Sequence, residues 1–551
     1  MRKTILITAL SFFFLQTANA QDNPRYLVLF KEKGTGTFSV DKPAEFLSQR
    51  AIDRRKKQNI PVTVQDLPVN EGYLFAIRQT GAKVIYPTRW FNGALIEASA
   101  AQLADIKKLP FYKGIELDLP VANSKSPGIA RSNASQTKFG TTEDVDYGSM
   151  NAQLALMEVA DLHKKGYQGE NMLIAILDNG FTKGNEVAYF KQVRDEKRII
   201  DTHDFVARDG DVYNDGSHGL SVMSTIAAYI PGTMVGAAFK ASFALYRTEN
   251  DFGESPYEEI TWLIAAERAD SLGADVINSS LGYSTFDDEF NSPAYNHNYK
   301  DMDGKTTIIS RAARYATRKG ILVVNSAGND GNNSWRYISA PADVDSVLTV
   351  GATAYDRSYA SLSSVGPNSA GIQKPDLAAV GAGTIIGNLA GSASSGYGTS
   401  YSSPQIAGLA AILWQAFPSL TAQQIIYVLK KSGHQASAPD NLLGCGVPNA
   451  IKAQEIATNE FKPLGAGEDL FSSLTLSPNP AREEIAIDVP AAFAGKEAFI
   501  KIHSLTGTAL RTTRTRLREK ETLRVGDLPS GLYVIRVQVG VQERTLKFIK
   551  Q

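Results

Sequence analysis

Apolar and polar positions change rhythm three times along the chain, and each rhythm predicts a different module. From Arg25 to about residue 120 the runs read as a strand in RYLVLF, a helix in PAEFLSQRAIDRRKKQN and strands in GYLFAIRQTGAKVIYPTRWFNGALIEAS. A helix in AAQLADIKKL and a short strand in YKGIEL complete a small α+β module, assigned to residues 21–125. The basic run Arg54, Arg55, Lys56, Lys57 falls on the first helix and reads as a solvated face. Residues 126–150 lose apolar periodicity and gain Ser, Asn, Thr and Gly, which marks an exposed linker.

From 151 to 455 short continuous apolar runs alternate with helical stretches. MLIAILD, SFALYR, ADVINSSLG, GILVVNSAGN and SVLTVGAT are apolar without alternation, as strands buried on both faces are. EEITWLIAAERADSLG and SRAARYATRKG lie between them, each a helical pattern closing at a glycine suited to a C-cap. The pattern predicts an α/β domain with a parallel sheet flanked by helices. A linker at 456–471 follows. Residues 472–551 then return to short strands separated by turn residues (LTLSPNP, EEIAIDV, AFIKIHSLTG, LPSGLYVIRVQVG, RTLKFIKQ), a small all-β sandwich.

The N-terminus adds a different signal. Arg2 and Lys3 lead an apolar run from Ile5 to Leu15, and Ala18-Asn19-Ala20 has the form of a cleavage site, so residues 1–20 read as a secretory signal peptide. The run is too short to span a bilayer, so no membrane span is expected. With one cysteine, Cys445, no intrachain disulfide forms, and that thiol receives no chemical role. Lys plus Arg and Asp plus Glu each total 57, so no net field recruits nucleic acid.

In a parallel sheet, functional groups collect at the carboxyl ends of strands. LIAILDNGF ends in Asp178; His218 stands beside Gly219 ahead of an apolar helical run; Asn329 lies in the turn after ILVVNSAG; and GYGTSYSSPQIAGLAAILW offers Thr399, Ser400, Ser402 and Ser403 at a helix start. Each alone has a structural explanation: a capping acid, a core histidine, a turn asparagine, first-turn hydroxyls. Together they supply a carboxylate, a base, an amide donor and a nucleophile, the roles that acyl transfer needs. Pro404, which lacks an N–H, is expected in the first turn and puts the helix start near Ser400.

In this order the four segments resemble the motif set of the subtilisin-like serine peptidases, with Gly398-Thr399-Ser400 and Pro404 standing for G-T-S-x-x-x-P. The resemblance implies that Asp178 orients His218, that His218 is general base and then acid, that Ser400 is the nucleophile, and that Asn329 with the Ser400 N–H holds the oxyanion. It also implies that Ser280, Leu281 and Gly282 pair with the backbone of a protein or peptide substrate. The sequence departs from the family at Asn179, at Leu220-Ser221 and at Tyr401, Ser402 and Gln405, which bears on side-chain preference and leaves the chemistry intact. Residues 21–125 resemble an inhibitor-like peptidase propeptide, which would aid folding, cover the cleft and be removed. LSPNPAREEIAI, DLPSGLYVIRV and KFIKQ resemble the C-terminal sorting domain read by type IX secretion machinery, implying a secreted or cell-surface protein.

No cofactor or metal is expected. Asp209, Asp211 and Asp215, and Asp301 and Asp303, are the candidates for calcium, but neither set completes a calcium-loop signature and both read as exposed turn acids. The rival readings are a surface binding protein that keeps the fold without turnover, and for residues 472–551 a sandwich that binds carbohydrate or protein. A lipase-like esterase does not fit, because the order of acid, histidine and serine is reversed.

Overall fold

The computed structural model describes residues 23–123, 145–250, 253–461, 474–504, 509–539 and 542–551. The expected signal peptide and most of the first linker lie outside these residues. The chain divides into two compact units, 1–457 and 458–551.

The first module of unit one is an antiparallel sheet of β1 (Arg25–Phe30), β2 (Lys83–Thr88), β3 (Gly93–Glu97) and β4 (Tyr112–Ile115), in the order β2-β3-β1-β4. Helices α1 (Gln49–Lys57), α2 (Glu71–Gln79) and α3 (Ala100–Ile106) accompany it. The segment GYLFAIRQ, expected as strand, is α2: Asn70 caps it by accepting from Gly72 N at 2.8 Å, and Leu74 and Ile77, three apart, are its buried face.

The large module opens with short helices α4 (Asn151–Ala155) and α5 (Val159–Lys164), then β5 (Leu173–Asp178). Helix α6 (Lys191–Asp195), β6 (Ile199–Asp204) and α7 (His218–Ala227) follow, then a two-residue hairpin of β7 (Tyr229–Ile230) and β8 (Met234–Val235). Next come β9 (Ser242–Arg247), α8 (Pro256–Leu272), β10 (Val276–Ser279), α9 (Ile308–Arg318), β11 (Leu322–Ser326), β12 (Leu348–Thr353) and β13 (Leu377–Val380). A hairpin of β14 (Ala382–Gly387) and β15 (Ala393–Tyr397) leads into α10 (Thr399–Ala416), α11 (Ala422–Ser432) and α12 (Ala450–Glu460). Helix α12 therefore continues into the stretch expected as linker.

Seven of these strands form one sheet in the order β13-β12-β11-β10-β5-β9-β6, and every pair is parallel. From β5 the chain builds β6 and β9 on one side and β10 to β13 on the other, so the sheet reverses direction beside Asp178. A crevice opens at such a point. β6 and β13 escaped the hydrophobic pattern because β6 is a half-exposed edge and β13 is a four-residue, alanine-rich run.

The first module packs on α8 and α9 through α1. Ser48 N and Oγ donate to the carbonyls of Ser271 and Leu272, Arg50 Nε to Gly273 O at 2.9 Å, and Gln58 Nε2 to Gly320 O at 2.7 Å. These are the last carbonyls of two helices, which lack intrahelical partners. The approach is close: a Cβ on Gly273 (φ +93°) would lie 2.7 Å from Ala51 N, so glycine is required there for space as well as for conformation. Arg54 and Arg55, expected in solvent, are buried here. Arg54 pairs with Asp270, and Arg55 Nη2 sits 2.8 Å from Asp270 and 2.9 Å from Asp66. Only Lys56 and Lys57 of the basic run are exposed. Arg89 Nη2 adds a third guanidinium 2.6 Å from Asp270. Burial alone would raise the Asp270 carboxyl, but Arg89, Arg54 and Arg55 hold it at about 2.

Unit two is a sandwich of β16 (Thr475–Ser477), β17 (Glu484–Asp488) and β20 (Lys520–Arg524) against β18 (Glu497–Ser504), β19 (Ala509–Arg516), β21 (Gly531–Val539) and β22 (Gln542–Lys550). Ile485, Ile487, Ile500, Ile502, Ile535, Val537 and Phe548 fill its core. β19, ALRTTRTR, is almost wholly polar, which is why periodicity alone did not predict it.

Candidate active site

Asp178 ends β5 with its side chain fully buried. Its Oδ1 accepts from Asn179 N at 2.9 Å and from His218 Nδ1 at 2.8 Å, which assigns the proton to Nδ1 and leaves Nε2 as the basic nitrogen. Asn179, one of the departures from the family pattern, accepts from His218 N at 3.0 Å and so ties the first residue of α7 to the end of β5. Gly219 lets the two elements meet, since a Cβ there would fall 2.9 Å from Asp178 Cβ.

Ser400 lies in the first turn of α10, beside α7. Helix α10 starts at Thr399 after Gly398 (φ +146°), and none of the four hydroxyls caps it. Ser402 Oγ donates to Ala379 O at 3.1 Å and Ser403 Oγ to Asn278 Oδ1 at 2.8 Å; both bind the sheet below. Thr399 has a separate task. Its N–H and Oγ1 donate to Asn329 Oδ1 at 2.9 and 3.1 Å, which turns Asn329 Nδ2 away from Thr399. Asn329 is exposed, so this amide is presented at the surface.

Pro404 sits in the second turn, not the first, and its missing N–H removes the usual helical partner of the Ser400 carbonyl. Ser280 Oγ takes that place, donating to Ser400 O at 2.9 Å, while Ser400 Oγ donates to Ser280 O at 3.3 Å. Ser280→Ala is therefore expected to cost about 1–3 kcal/mol, measured by urea unfolding. The cost should shrink in a Pro404→Ala background that restores the N–H; an equal cost in both backgrounds would refute this pairing.

Of the strip after β10, Leu281 is buried and its carbonyl accepts from Asn325 Nδ2 at 2.9 Å, while Gly282 is exposed. Tyr283 then turns back to pair with Ala340. The Tyr283 hydroxyl donates to Glu249 at 2.6 Å, and burial, followed by the neighbouring Glu258, pushes the Glu249 carboxyl well up. Burial likewise pushes Glu258 up to about 8. The first module reaches this region at its end: Tyr295 OH donates to Pro120 O at 2.9 Å and Asn123 Nδ2 to Glu289 at 2.7 Å.

Asp209 and Asp211 accept from backbone N–H groups of their own turn, as does Asp303; Asp301 binds Asn298; and Asp215 lies 3.7 Å from Arg247. Among the described residues no group of three or more His, Cys, Asp or Glu side chains converges on a metal-sized site. No helix among the described residues is long and apolar enough to cross a membrane.

The Subtilase family profile matches residues 169–446, a Peptidase S8 propeptide domain of Bacteroidota matches 25–136, and a secretion system C-terminal sorting domain matches 475–551. Subtilisin DY of Bacillus licheniformis is 30% identical over 287 residues, covering 51% of this chain and 89% of its own. Subtilisin NAT of Bacillus subtilis subsp. natto is 27% identical over 354 residues, covering 63% of this chain and 77% of its own. A solved structure of MycP1 from Mycobacterium smegmatis aligns over 60% of this chain and 90% of that one, at 23% identity and a TM-score of 0.44.

Proposed function

From the premise that this chain belongs to the subtilase family of serine peptidases, with a propeptide and a C-terminal sorting domain for type IX secretion to the cell surface or beyond, we propose that it is an endopeptidase working through an acyl-enzyme on Ser400. The observation that carries this reading is the convergence of residues 178, 218, 329 and 400 at the carboxyl end of one sheet, with Asp178 hydrogen-bonded to His218 Nδ1 at 2.8 Å.

Ser400 Oγ gives up its long bond to Ser280 O and passes its proton to His218 Nε2 as it attacks the scissile carbonyl. Asp178 holds the ring and stabilises the imidazolium. Asn329 Nδ2 and the Ser400 N–H, free of an intrahelical acceptor in the first turn, receive the developing oxyanion. His218 then protonates the leaving amine, and water repeats the sequence on the ester. Ser280 and Gly282 are the main-chain partners for the acyl half of the substrate, since the carbonyl of Leu281 is engaged by Asn325. The propeptide, whose end is hydrogen-bonded to Tyr295 and Glu289 in the segment that follows the Ser280–Gly282 strip, keeps the enzyme silent until it is removed.

The processed protein is expected to label with a fluorophosphonate probe and to hydrolyse casein. A folded, processed chain that does neither would favour the surface binding protein instead. Asn329→Ala is expected to lower kcat by about 100- to 1000-fold with a much smaller change in KM, read from steady-state hydrolysis of a peptide substrate.

A further inference from the structure

Strand β9 ends in Arg247, a charged side chain only 1% exposed at the close of a mostly apolar run. A buried arginine is costly to desolvate, and an apolar residue would pack there without that cost. Its guanidinium spans two other segments. Nη1 lies 2.9 Å from the buried Asp204 carboxylate at the end of β6, and Nε donates to Asn179 O at 2.9 Å. Asn179 stands between the two catalytic turns. It follows Asp178, its side chain accepts from His218 N, and a Cβ on Gly216 would lie 2.2 Å from its carbonyl oxygen, so the turns are in backbone contact. The next two residues of the chain extend the pattern. Thr248 N donates to Asp178 O at 2.9 Å, and Glu249 accepts from the Tyr283 hydroxyl at 2.6 Å. Tyr283 is fully buried and directly follows the Ser280–Gly282 strip.

Resting on the reading of Ser400 and His218 above, we propose that Arg247-Thr248-Glu249 is a clamp that sets the substrate-pairing strip against the catalytic pair. Arg247 is a positioning residue for His218, acting through the Asn179 carbonyl, and Glu249 is a positioning residue for the strip, acting through Tyr283. Neither reaches the reacting atoms. A guanidinium suits the first task because its rigid planar fork holds a carboxylate and a carbonyl at fixed angles, which the point charge of an ammonium does not. The three residues are consecutive, so the two anchors keep one spacing. The two arms differ in what they disturb when broken: a misaligned His218 slows the chemistry, and a displaced strip weakens binding.

The test is steady-state hydrolysis of a peptide anilide by the processed protein, with active sites counted by fluorophosphonate titration. Acylation is the slow step on an anilide, so KM follows binding. Arg247→Lys, which keeps a charge for Asp204 and loses the fork, is expected to lower kcat per titrated site by about tenfold to a hundredfold with little change in KM. Tyr283→Phe and Glu249→Ala should instead raise KM by about three- to tenfold, the scale of one hydrogen bond, and the double variant no more than either alone. Glu249→Gln, which retains an acceptor for the Tyr283 hydroxyl, should restore most of the parent KM. A purely structural role would lower only the fraction of titratable sites. Parent constants per site in Arg247→Lys, Tyr283→Phe and Glu249→Ala would therefore overturn the clamp. If Arg247→Lys does not fold, the rise in KM of Glu249→Ala and its recovery in Glu249→Gln decide the proposal alone. Labelling of Ser400→Ala by the probe would remove the reading of Ser400 itself, which normal labelling of the clamp variants leaves in place.

Discussion

Ser400→Ala is expected to lose proteolytic turnover by about a millionfold and all labelling by a fluorophosphonate, with the fold intact. Members of a nucleophile–base pair act as one unit, so removing the nucleophile costs on the order of 10⁶ in kcat, and His218→Ala about as much. The double variant should be scarcely worse than either single one. Asp178→Asn should cost about 10⁴, because an amide at that position favours the wrong imidazole tautomer. Ser400 is only 8% exposed, and its hydroxyl makes one 3.3 Å bond, so alanine leaves no large cavity and unfolding should shift little. Casein hydrolysis and probe labelling on the processed protein decide the matter. Full activity in Ser400→Ala would remove the assignment.

The second large effect belongs to the propeptide. Asp270→Asn is expected to weaken the docking of the first module by about 3–5 kcal/mol, since Arg54, Arg55 and Arg89 converge on that carboxylate in a buried site and of the three only Arg55 would keep a carboxylate partner, Asp66. In a Ser400→Ala background, which prevents self-processing, the full chain should unfold at lower urea. Its first module should also become sensitive to an added protease. Lys57→Gln, in the same basic run but exposed, should change neither by a measurable amount. Equal stability of Asp270→Asn and its parent would show that the three arginines hold nothing.

The ion pairs at this contact have a consequence for maturation. Buried pairs are poorly screened by salt, so release of the first module is expected to need degradation of that module and not merely a change in ionic strength. The capping of α8 and α9 by Ser48, Arg50 and Gln58 points the same way, because those helix ends are completed by side chains of another module.

Much of the fold was legible because hydrophobic burial writes its period into the chain. β5, β9, β10, β11 and β12 were predicted from continuous apolar runs, and α8 and α9 from patterns closing at glycine, here Gly273 and Gly320. The failures share a cause. The edge strand β6, the polar strand β19 and the helix α2 owe their conformation to neighbours or to a cap rather than to a pattern of their own.

The basic run shows the same limit. Arg54 and Arg55 carry the same charge signature as Lys56 and Lys57, and nothing local distinguishes the pair that is buried. What decides it is Asp270, more than two hundred residues away.

By itself the sequence determined which residue types occur, in what order, and hence the identity of the candidate carboxylate, base, amide and nucleophile. It could not determine what the remaining hydroxyls and departures do. Thr399 fixes the Asn329 amide, Asn179 anchors α7, Ser280 replaces the N–H that Pro404 lacks, and Tyr401 lies against His218. These are contacts between segments 39 to 183 residues apart, set by how the elements pack, and short-range pattern carries no record of them.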